Sequence, residues 1–95
     1  MLSIVSESNG DVVHIHGDLA GLEALEQALR RVREQVAAGV CEDNHLFSNS
    51  WGGKDLTETM LESERETGAR QVQHLKLFGW TDEWSVKHGL SPNAR

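Results

Sequence analysis

One apolar stripe at helical spacing runs between Asp18 and Gly39, and it constrains the fold more than any other feature. Leu22, Leu25, Leu29, Val32 and Val36 recur every three to four residues, and Leu19 and Ala28 extend the row. Glu23, Glu26, Gln27, Arg30, Arg31 and Glu34 occupy the opposite side. Asp18 suits an N-cap and Gly39 a C-terminal stop. A helix of about 21 residues, roughly 30 Å long, is therefore predicted. The stripe lasts under three heptads and has strand-like segments on both sides, so a sheet, not a coiled-coil partner, is its expected cover. A single helix covers one face of a sheet and leaves the other at least partly open.

The flanking segments supply the strands. Residues 2–7 and 12–16 are β-branched-rich runs separated by Ser8-Asn9-Gly10-Asp11, and Asn-Gly between such runs is a strong hairpin signal. A third strand is predicted over 44–51, ended by Trp51-Gly52-Gly53-Lys54. Residues 55–62 suit helix or strand, and hairpin logic favours a fourth strand there. Gln71 to Trp80 reads as the fifth. Thr81 can cap a short helix reaching about His88. The expected class is α+β, mainly antiparallel, in the order β-β-α-β-β-β with a short C-terminal helix and one long helix packed on one face. The 95 residues make one domain over 1–90, followed by a loose tail over 91–95.

Charge narrows the partners. Nine Lys and Arg against fifteen Asp and Glu give −6, which argues against nucleic acid or an anionic membrane and favours basic surfaces. Acidity concentrates in residues 41–66. No apolar run is long enough to span a membrane and no signal peptide is visible, so a cytoplasmic location is expected. The lone Cys41 permits neither an internal disulfide nor a cysteine zinc cluster, and the neighbouring Glu42 and Asp43 disfavour its thiolate.

Strand alternation then sorts the side chains. Val13, Ile15, Leu75 and Leu77 are the natural partners of the helix stripe. The open face would gather His14, His16, His74, Lys76, Phe78 and Trp80, joined by His45, Phe47 and Trp51. Aromatic rings with polar tips resemble a protein-binding surface; equally, Trp51, Phe78 and Trp80 could cover a second small core. His14, His16 and His74 offer an alternative metal site, with no obvious carboxylate to join them. Ser48 and Ser50 lack a nucleophile elbow, and Gly52-Gly53-Lys54 is too short for a phosphate loop, so neither catalysis nor a cofactor is expected. The acidic run Asp55, Glu58, Glu62, Glu64 and Glu66 reads as a solvated edge or as a decoy for a basic active site.

The stretch from His45 to Thr57, His-Leu-Phe-Ser-Asn-Ser-Trp-Gly-Gly-Lys-Asp-Leu-Thr, resembles the HL…WGG.EL signature of the immunity protein 32 family of bacterial polymorphic toxin systems. Val72 to Trp80 looks like that family's INHVKI…W strand, and Gly17 to Leu22 like its helix opening. The chain departs from the pattern at Asp55, at Gln73 and along a longer, more acidic 58–70 connection. The resemblance implies a small inhibitor that binds a cognate protein toxin, with contacts drawn from His45, Phe47, Trp51, Gly52, Gly53, Asp55, His74, Lys76, Phe78 and Trp80. From charge, a basic nuclease is the expected kind of toxin. A homodimeric module pairing through its open face is the further alternative, so the free chain is expected as monomer or homodimer.

Overall fold

The computed structural model describes residues 1–91, and the expected tail lies, beyond Ser91, outside them. The chain is α+β, with strands antiparallel in two sheets. The elements in order are β1 (Leu2–Ser6), β2 (Val13–Gly17), α1 (Leu19–Ala37), β3 (Glu42–Phe47), a 3-10 turn (Asn49–Trp51), α2 (Glu62–Glu66), β4 (Arg70–Gln71), β5 (His74–Gly79) and α3 (Asp82–Lys87). The sheets are β2-β1-β4 and β3-β5. Among the described residues no helix is long and apolar enough to cross a membrane.

Two compact units form, one from residues 1–25 and 45–75, the other from 26–44 and the described residues from 76 onward. In the first, the hairpin forms as its Asn-Gly turn predicts, with Ile4 opposite Ile15, Val5 opposite His14 and Ser3 opposite His16. Gly10 adopts φ 78°, the left-handed conformation that favours glycine in such a turn. β1 lies between β2 and β4, and side chains on both its faces are buried: Leu2, Ser3, Ile4 and Val5 are each at most 1% exposed. Leu56 joins this core, and the segment around it makes only a single bridge to Ser48. The predicted fourth strand is thus replaced by extended chain and then α2. The predicted fifth strand divides into β4 and β5, because Val72 N–H bonds Ile4 while the Gln73 carbonyl accepts from Ser48 N–H.

Two face assignments are corrected. Val13 and Ile15 are 56% and 51% exposed, and the half-buried residues of β2 are His14 and His16. The helix stripe is also rotated. Gly21, Ala28 and Val32 are buried, whereas Leu19, Leu22 and Leu29 are at least half exposed. Gly21 lies inward, and only glycine fits there because a side chain would strike the Met1 carbonyl. In the second unit Gly79 of β5 lies tight against Val32 and Val36, and Asn44 of β3 donates to the Ala28 carbonyl at 3.4 Å. Both caps form as predicted. The Asp18 carboxylate accepts from Gly21 N–H at 2.9 Å, and Thr81 Oγ1 accepts from Trp84 N–H at 3.3 Å.

Candidate functional site

The predicted binding residues fall into two clusters. In the first unit, β3 and β5 bring His45, Phe47 and His74 together. The His74 ring stacks on Phe47 at 4.1 Å and on His45 at 4.9 Å. His45 Nδ1 and His74 Nε2 share a 2.7 Å hydrogen bond, which requires a proton on one nitrogen and a lone pair on the other. Trp51 lies 6.3 Å from His74, ring centre to ring centre. It sits on the 3-10 turn, not on a strand as predicted, and is 59% exposed.

The loop that presents Trp51 is tied at each end. Gly52 takes φ 88°, and Gly53 lies tight against the Cβ and carbonyl of Phe47. Asp55 Oδ2 accepts from Phe47 N–H at 3.0 Å, and the Phe47 carbonyl accepts from Asp55 and Leu56 N–H at 3.0 and 3.1 Å. Glu58 accepts from the Ser50 amide at 2.5 Å and from the Ser50 hydroxyl at 2.8 Å, and these bonds lower its pKa. Ser48 is fully buried and donates to the Gln73 side chain. Gly52, Gly53 and Asp55 thus meet local conformational demands while holding Trp51 outward.

In the second unit Phe78, Trp80, Trp84 and His88 stack in sequence, with ring centres 5.5, 3.8 and 3.7 Å apart. Phe78 is 51% exposed, and Lys76 is exposed on the same side of β5, as the alternation predicts. Trp84 and His88 join the ladder through α3. Their i,i+4 spacing after the Thr81 cap was a readable signal for that contact. Cys41 is half-buried, with Sγ 4.0 Å from Thr81 Oγ1.

The alternative histidine site changes composition. His14 and His16 do converge, but their companion is Glu64 of α2, and His74 belongs to the Phe47 cluster. Glu64 Oε2 lies 2.6 Å from His14 Nδ1 and 2.8 Å from His16 Nε2, and Glu7 Oε2 lies 2.8 Å from His14 Nε2. The acidic run is therefore not uniformly a solvated edge: Glu64 is only 4% exposed. Its hydrogen bonds to His16 and then His14 hold its pKa down at about 2, and bonds to Glu64 and Glu7 raise that of His14. Alternation placed His14 and His16 on one side of β2 but carried no signal that Glu64, 50 residues from His14, would meet them.

No protein-family model, curated protein or solved structure matches the chain.

Proposed function

We propose that this chain is a non-enzymatic binding protein of the immunity kind, which occludes a cognate bacterial protein toxin. The observation that carries this reading is Trp51, a large aromatic side chain held 59% exposed on a loop whose backbone and side-chain bonds are satisfied. An already ordered loop removes the backbone-ordering part of the cost of binding, and tryptophan is among the residue types enriched at binding hot spots. His74 and Phe47 support it from below, with His45 beyond. Phe78, Trp80 and Lys76 offer a second contact area on the other unit. The net charge of −6 suits a basic partner such as a nuclease cleft. The likeness of residues 45–57 and 72–80 to an immunity family points the same way. A cytoplasmic monomer or homodimer, capturing toxin before it acts, completes the reading.

The test is native mass spectrometry of the chain co-expressed with the product of its neighbouring gene. A one-to-one complex is expected. Trp51→Ala should weaken it by about 30-fold or more, equivalent to a hot spot of about 2 kcal/mol, while circular dichroism remains unchanged. Unchanged affinity in a folded Trp51→Ala protein would refute the reading.

A further inference from the structure

A second site with its own chemistry lies on the hairpin of the first unit. His14 and His16 stand at i,i+2 on β2, so both rings leave the same side of the strand. They meet edge to face, with centroids 6.1 Å apart and planes at 89°. The one-turn helix α2 delivers Glu64 between them. His14, His16 and Glu64 each present one donor atom, and these atoms all lie within 4.8 Å of one another.

We infer that His14 Nδ1, His16 Nε2 and a Glu64 carboxylate oxygen form a binding site for one divalent transition-metal ion of the zinc class. Two imidazoles and one carboxylate are a borderline donor set that suits zinc, and three protein ligands leave one position for water or for a group from a partner. Zinc bonds of 2.0–2.2 Å in a tetrahedron separate the donors by roughly 3.3–3.5 Å. The present separations of 2.6 and 2.8 Å need an opening of roughly 0.5–0.9 Å. Side chains of His14 and His16, 33% and 35% exposed, have room for it.

The surroundings have the features of a metal site's outer layer. Glu7 Oε2 accepts from His14 Nε2, which turns His14 Nδ1 toward the site. Glu64 Oε1 accepts from Leu61 N–H at 2.8 Å, so its other oxygen is the one aimed at the histidines. His16 also lines a cavity of about 180 Å³ together with Ser3, Thr59, Met60 and Leu61. Glu64 is 4% exposed and already accepts from both imidazoles, so a bound dication would take the place of the protons those rings now share with its carboxylate.

The experiment is titration of the untagged, chelator-treated chain with Zn2+ by calorimetry and with Co2+ by visible absorption. One equivalent with a micromolar or tighter Kd is expected, with the intense visible bands of four-coordinate cobalt. His16→Gln, at a half-exposed position, should weaken binding at least 100-fold while the fold persists. Glu64→Gln should do the same. If circular dichroism shows Glu64→Gln unfolded, His16→Gln alone decides. Glu7→Gln should cost about 10- to 100-fold, as for other partners of metal-bound histidines. Binding in folded His45→Ala and His74→Ala should be unchanged. Absence of saturable binding, binding only at millimolar metal, binding indifferent to His16→Gln, or loss in His74→Ala would overturn the site.

Discussion

Replacing Gly53 by alanine tests whether the Trp51 loop is held by close packing. Gly53 has no unusual φ, so an alanine there meets no conformational penalty of its own. Its Cβ would, however, overlap the Cβ, carbonyl carbon and carbonyl oxygen of Phe47. That carbonyl accepts from both Asp55 and Leu56 N–H. Relief requires moving backbone, not the flexible end of a side chain. Overpacking of this kind costs about 1–3 kcal/mol, and weakening one of the two carbonyl bonds adds about 1 kcal/mol. A central total of about 3 kcal/mol lowers Tm by roughly 12–24 °C in a domain of this length. Gly52→Ala is the internal comparison. There a Cβ meets open space, and the cost is the left-handed backbone alone, about 1 kcal/mol and roughly 4–8 °C. Thermal melts followed by far-UV circular dichroism should therefore rank wild type above Gly52→Ala and Gly52→Ala above Gly53→Ala. A Gly53→Ala protein as stable as wild type would refute the argument.

Three further outcomes are expected. Ile4→Ala should lose about 2–5 kcal/mol in urea unfolding while Ile15→Ala loses under about 0.5, because β1 is buried on both faces and the Ile15 side of β2 is exposed; similar losses would contradict the assigned faces. Thr81→Ala should cost about 1 kcal/mol, read in the same titration, by removing the acceptor for Trp84 N–H. The metal-free protein should be most stable between about pH 4.5 and pH 6.5. Glu64 has its pKa lowered from 4.5 to about 2, so its contribution is complete above 4.5 and lost as pH falls toward 2. His14 has its pKa raised from 6.5, so its contribution is complete below 6.5 and lost as pH rises through the higher folded value. Urea midpoints measured with chelator present should trace that maximum, and Glu64→Gln should flatten its acid side.

Elements defined by local chemistry were legible in the sequence. The Asn9-Gly10 turn, the Asp18 and Thr81 caps and the period of α1 all act within a few residues, and all appear where expected. What periodicity leaves open is phase. Alternation groups His14 with His16 and Val13 with Ile15, but it does not say which pair turns inward; the burial of Glu64 decides that, and Glu64 lies about fifty residues away. The helix has the same ambiguity. Seven apolar positions make a stripe wider than the contact, and Gly21, which offers no apolar signal, marks the inward side. Trp51 was misplaced for a different reason. The strand ends at Phe47, where Gly53 and Asp55 fold back on it, and a 3-10 turn carries the tryptophan out of the alternation.

Among the described residues strand β2 has a neighbour on one side only, and its Val13 and Ile15 side chains face water. Edges of this kind recruit further strands, so something must keep copies of the chain apart. The excess of acids does so at neutral pH, and it vanishes near the isoelectric point of about 5.2. That pH falls inside the window where the fold itself is expected to be most stable. Folding stability and colloidal stability are therefore opposed in this protein: conditions that best preserve one molecule are those in which two molecules most readily join edge to edge. A lysine at position 13 or 15 would separate the two properties without touching either aromatic cluster.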